Sequence, residues 1–165
     1  MWLSKLLTSV ILLLMVGACG FQPLYGRTGD NAKVQAQLSQ TYVLPIEGRT
    51  GQILRNNLLD RVTPTGVPAS AAYQLRVVLE SKKAGVAIDS DASTNRINLT
   101  LRARYSLLDR TGKTSFYNGV AQSISAYNVV DSDFANLSAE KNAEKRSAIV
   151  LAEEIHRQLS VYFSR

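Results

Sequence analysis

Cysteine and histidine are almost absent: the 165 residues hold one of each, Cys19 and His156. One thiol closes no internal disulfide, so the core has to be held by apolar packing. Zinc asks for several nitrogen or sulfur ligands, and this pair does not supply them. A Ser-His nucleophilic site could draw only on His156, which falls beside Ile155 in a helical pattern and reads as structural or merely exposed. No glycine-rich phosphate loop or dinucleotide fingerprint stands out. Glu153 and Glu154 are adjacent and on a helix diverge by roughly 100°, while Lys82 and Lys83 in a strand point to opposite faces. The expectation is a chain without catalysis, metal or cofactor.

Strong charge of one sign is missing too. Nineteen basic against thirteen acidic residues give a formal net charge of +6, which is not the dense charge of a nucleic-acid arm. It suits anionic lipid headgroups or a negatively lined partner equally well. No apolar run reaches bilayer length, since the longest, Leu6 to Val16, is well short of the roughly 20 residues a spanning helix needs. With Lys5 before it and small residues after it, that run has the shape of a secretion signal over residues 1–18. The residues Val16-Gly17-Ala18-Cys19 resemble a bacterial lipobox, which implies cleavage before Cys19 and a diacylglyceryl thioether on its sulfur. Acyl chains contribute about 0.8 kcal/mol per buried methylene and would anchor a single remaining domain.

Residues 19–40 carry Pro23, Gly26, Gly29, Asp30 and Asn31 and then a polar run, and read as a lipidated terminus and a linker, either free or partly ordered against the domain. Phe21, Leu24 and Tyr25 suit either the membrane interface or docking onto protein. A single domain is expected over 41–165. Tyr42 to Ile46, interrupted by Pro45, reads as an edge strand. Thr50 can cap a helix with Leu54, Leu58 and Val62 on one stripe, which Pro64, Gly66 and Pro68 would end. Tyr73, Leu75, Val77 and Leu79 alternate with more polar neighbours, and so do Ile97, Leu99, Leu101, Ala103, Tyr105 and Leu107.

A polar turn at Asp89 to Thr94 and another at Asp109 to Lys113 join these strands to a third, about Ser115 to Tyr127, as an antiparallel meander. Its outer face is expected to show Arg, Thr, Ser and Tyr rather than Leu and Val. A last helix, starting between Asp133 and Glu140, has its stripe at Ala148, Ala152, Ile155, Leu159 and Tyr162. Together these elements predict an α+β two-layer sandwich: a mainly antiparallel sheet of about four strands with two helices packed on one face.

The stretch Cys19-Gly20-Phe21-Gln22-Pro23-Leu24-Tyr25-Gly26 is similar to the start of mature LptE-type lipopolysaccharide-assembly lipoproteins, alphaproteobacterial ones in particular. The element order, including the Gly51-Gln52-Ile53-Leu54-Arg55-Asn56-Asn57-Leu58 helix, resembles theirs over essentially the whole mature chain. The resemblance implies a non-enzymatic plug inside a large outer-membrane β-barrel of the LptD type, assisting barrel assembly and lipopolysaccharide delivery to the surface. It also implies lipid anchoring in the outer membrane through Cys19, with Gly20 rather than an inner-membrane retention aspartate after it. A lipoprotein accessory to a periplasmic lipid transport system is the alternative. Candidate lipopolysaccharide contacts are Lys82, Lys83, Arg102 and Arg104, because basic groups meet phosphates and Arg102 and Arg104 share a face.

Overall fold

The structure, a computed structural model, describes residues 29–86 and 95–165. The signal segment, Cys19, the aromatic residues after it and the turn expected at Asp89 to Thr94 lie outside the described residues. The chain divides into two compact units, 1–32 and 33–165, and the account below concerns the second.

In place of a linker up to Gln40, residues Gly29–Leu38 form helix α1. Leu38 is fully buried and Val34 packs against the same core, so this helix is part of the fold that its polar composition hides. Strand β1 is only Thr41–Val43, at the edge of the sheet as expected, and runs parallel to its neighbour. A parallel pair needs a crossover. Helix α2, Gly48–Val62, provides it.

The entry to α2 turns at Gly48, whose φ of 77° is accessible to glycine without strain. Glu47 occupies the N-cap position, and Thr50, expected there, lies inside the first turn instead. Its hydroxyl donates to Glu144 Oε2 at 3.0 Å, tying α2 to the last helix. The predicted stripe Leu54, Leu58 and Val62 is completely buried, and Thr63 ends the helix just ahead of Pro64.

Three long strands follow: β2, Tyr73–Val86; β3, Asn95–Asp109; and β4, Ser115–Val129. They pair antiparallel in the order β1-β2-β3-β4, so the sheet is mixed through its short first strand alone. Helix α3, Asp133–Phe163, crosses the sheet in one piece. Its 31 residues rise about 46 Å, close to the roughly 50 Å of a 15-residue strand. Ser132 caps it by accepting from the Ala135 N–H, and Asp133 complements the dipole in the first turn. No glycine or proline interrupts it.

The core lies between one face of the sheet and the helices α2 and α3. Leu75, Leu99, Leu101 and Leu107 meet Leu54, Leu58, Leu151, Ile155 and Leu159, all at 0% exposure. Strand β4 meets α3 through small residues on its inward side: Gly119, Ala121, Ser123 and Ser125 face a helix that offers Ala143, Ser147 and Ala148. Ser147 Oγ donates to Ser125 Oγ at 2.7 Å within this close approach. At one end Tyr117, Tyr162, Phe163 and Tyr73 form a chain of rings with centroids 5.1–5.3 Å apart. Tyr117, expected on the outer face, therefore points inward, while Tyr73 and Tyr162 lie on the buried sides their periodicity predicts.

His156 is a half-buried histidine at the margin of the core. Its Nε2 is buried without a hydrogen-bond partner, and burial, helped by the charge of Arg61, holds its pKa below the usual value. A base that is harder to protonate folded than unfolded binds fewer protons in the native state, so stability is complete above about pH 6.5 and falls as pH drops below it. Stability measured by urea unfolding at pH 7 and pH 5 should decline on the acid side, and His156→Gln should flatten that decline. An unchanged slope in the variant would place the acid sensitivity elsewhere.

Candidate functional site

With α2 and α3 on one face, the other face of β2, β3 and β4 is left to meet ligand or partner. The register arranges it in rows across the strands: Arg76, Ser106 and Asn118; Val78, Arg104 and Val120; Glu80, Arg102 and Gln122; Lys82, Thr100 and Ile124. Three of the four predicted basic contacts, Lys82, Arg102 and Arg104, thus share this face.

Lys83 does not. It has inward parity, and its Nζ meets Glu140 Oε1 at 2.5 Å near the start of α3. That hydrogen bond raises its pKa. Glu140 Oε2 also accepts from the Tyr127 hydroxyl at 3.3 Å, which makes Lys83 part of a clasp between sheet and helix.

Arg104 pairs with Glu80 beside it. Its aliphatic stem lies in the row between Val78 and Val120, an arrangement in which a long cationic side chain covers apolar surface while its head stays wet. None of the ion pairs among the described residues involves Arg76, Lys82 or Arg102. Four cations against Glu80 give the face a positive balance.

The face is also more apolar than the sequence suggested. Val78 is 55% exposed, Val120 45% and Ile124 62%, which corrects the expectation of an outer face without branched aliphatics. The reason is visible on β4: its inward positions are taken by small residues so that α3 can approach, and the bulky ones are turned out. A shallow hollow of about 520 Å³ lies among Arg76, Val78, Arg104, Asn118 and Val120. Cations beside exposed aliphatics suit an amphiphile with anionic groups and acyl chains, or a protein surface of that character. Arg76, Val78 and Val120 were not among the predicted contacts, and the run Gly119, Ala121, Ser123, Ser125 was the signal that could have revealed them.

Among the described residues no cluster of histidine, cysteine and carboxylates could hold a metal ion. No helix among them is long and apolar enough to cross a membrane.

The LptE family, described as lipopolysaccharide-assembly, matches residues 35–159. The chain belongs to this family. A putative lipoprotein from Caulobacter crescentus CB15 shares the fold with a TM-score of 0.66 at 25% identity, covering 81% of this chain and 97% of that one. A minor lipoprotein from Acinetobacter baumannii aligns at 21% identity and TM-score 0.56, covering 76% and 95% of the two chains. The rare lipoprotein B from Shewanella oneidensis aligns at 10% identity and TM-score 0.51, covering 74% and 94%. No curated protein sequence matches. The LptE match extends from within α1 almost to the end of α3, so the outer sheet face lies wholly inside it.

Proposed function

We propose that this member of the LptE family is the lipid-anchored, non-catalytic partner of an outer-membrane β-barrel of the LptD type in a lipopolysaccharide translocon. Cys19 carries the anchor, the domain lodges in the barrel lumen and assists its assembly, and the outer sheet face takes part in moving lipopolysaccharide to the cell surface. The observation that carries the reading is that face, where Lys82, Arg102 and Arg104 stand among exposed Val78, Val120 and Ile124. Lipopolysaccharide pairs phosphates with acyl chains, and both find a counterpart there. A polar barrel lumen accepts the charged remainder of the surface.

One experiment tests both halves. Full-length chain extracted in gentle detergent should bring a large β-barrel with it at near-equal stoichiometry. The variant carrying Arg102→Ser and Arg104→Ser should keep the barrel but bind lipopolysaccharide about tenfold more weakly, the equivalent of roughly 1.4 kcal/mol, with a shallower dependence on salt. Recovery of the domain without a barrel would defeat the partnership. Unchanged lipopolysaccharide binding would remove the two arginines from the path.

A further inference from the structure

The free edge of β4 is treated differently along its length. The Leu44 N–H donates to Leu75 O at 3.0 Å on the β1 side, so odd residues of β2 turn their backbone groups toward β1 and even residues toward β3. Carried through the registers, odd residues of β4 bond to β3, and even residues from Asn118 to Asn128 turn their N–H and C=O off the sheet.

Helix α3 closes part of this row. Gln158 Nε2 donates to Val120 O at 3.3 Å, and an Arg146 guanidinium N–H donates to Ala126 O at 3.4 Å. Just beyond the strand, Asn136 bonds both the N–H and the C=O of Val130 at 2.9 and 2.8 Å. Between these caps, the outward backbone groups of Gln122 and Ile124 have no partner among the described residues. Arg146, Val150, Glu154 and Gln158 form one i, i+4 row of the helix; of the two members between the caps, Glu154 is held by Arg157 and Gln158, and Val150 is 48% exposed and without a hydrogen-bonding group.

Composition points the same way. Edge strands are usually protected by charge or proline, and Ser115–Val129 has neither over 15 residues. The opposite edge, where β2 outruns the three residues of β1, carries Arg76, Glu80, Lys82 and Lys83.

We propose that the Gln122 to Ile124 edge of β4 is a docking site for an extended, uncharged polypeptide segment of a partner protein, added as a fifth strand. The side chains of such a strand would alternate between Ile124 on the outer face and Val150 on the helix side, both exposed and apolar, so a charged side chain set against either would lose water at an apolar contact. A second copy of the chain does not fit. Helix α3 packs mainly over β4, and edge-to-edge pairing would bring two such helices side by side over strands about 4.8 Å apart, where packed helices need about 8–10 Å. A bare strand brings no helix.

Backbone hydrogen exchange of the full chain tests this, comparing chain extracted with its native membrane partners against chain overproduced and purified in excess of them. The segment holding Gln122 and Ile124 should exchange about tenfold more slowly in the native extract, and a photocrosslinker at position 122 should join one segment of another protein. Equal exchange, or crosslinks to lipid or to a second copy, would overturn the proposal. Ile124→Lys alters an exposed side chain and leaves the fold intact; it should abolish the protection without shifting the unfolding temperature. Protection that survives this substitution would also overturn it.

Discussion

Gly119→Ala should lower the unfolding temperature by about 10 °C, the consequence of roughly 3 kcal/mol of lost stability. Gly119 and Tyr105 are direct cross-strand partners at inward-facing positions. A Cβ on residue 119 would fall 2.3 Å from Tyr105 Cζ and 2.4 Å from its hydroxyl oxygen. The ring cannot move aside freely, since it is 2% exposed and its hydroxyl donates to Gln158 Oε1 at 2.5 Å. Burial of that hydroxyl also pushes its pKa far up, so it remains a donor at any ordinary pH. Either β3 and β4 part locally or the ring shifts and its bond to Gln158 breaks. Differential scanning calorimetry measures the loss. If the clash is the cause, combining Gly119→Ala with Tyr105→Leu should cost less than the sum of the two single changes.

The same pair shows what the sequence reveals and what it hides. Period-two alternation placed Leu75, Val77, Leu99, Leu101 and Leu107 correctly on the buried face, because a strand covered on one side by helices must separate apolar from polar residues. It misled on β4, where the buried side is chosen by closeness to α3 and holds small residues, so hydrophobicity no longer marks the inside. Residues 29–38 read as a linker because Gly29, Asp30 and Asn31 suit a loop and Gln35 and Gln37 leave the apolar periodicity weak, whereas their helix is tied to the core through Leu38 and Val34. The four basic contacts follow from charge and from the shared face of Arg102 and Arg104. Strand parity could separate Lys82 from Lys83, but the Glu140 partner that occupies Lys83 lies 57 residues away, and only the fold brings it near. The aliphatic half of the candidate face was hidden for the same reason as the inward side of β4.

The α3 stripe drawn from Ala148, Ala152, Ile155 and Leu159 omitted Leu151, and Leu151→Ala is expected to be the other severe substitution. Leu151 is 0% exposed, and truncating a buried leucine costs about 2–5 kcal/mol, depending on how far its surroundings collapse into the space. Leu151 belongs to the cluster of fully buried side chains that includes Leu54, Leu58, Leu99 and Leu101, so the loss should lie within that range, at about 3 kcal/mol. Against a typical total of about 5–15 kcal/mol, that is enough to deplete the folded chain in the cell. Urea unfolding should show a lower midpoint at unchanged slope, the mark of lost stability without a change in the surface exposed. Leu151→Met, which nearly conserves volume, should cost less than about 1.5 kcal/mol, and Val150→Ala on the exposed side less than about 0.5 kcal/mol. Similar losses for Leu151→Ala and Val150→Ala would mean that α3 does not lie on β4 as described, and the uncapped edge at Gln122 and Ile124 would lose its basis with it.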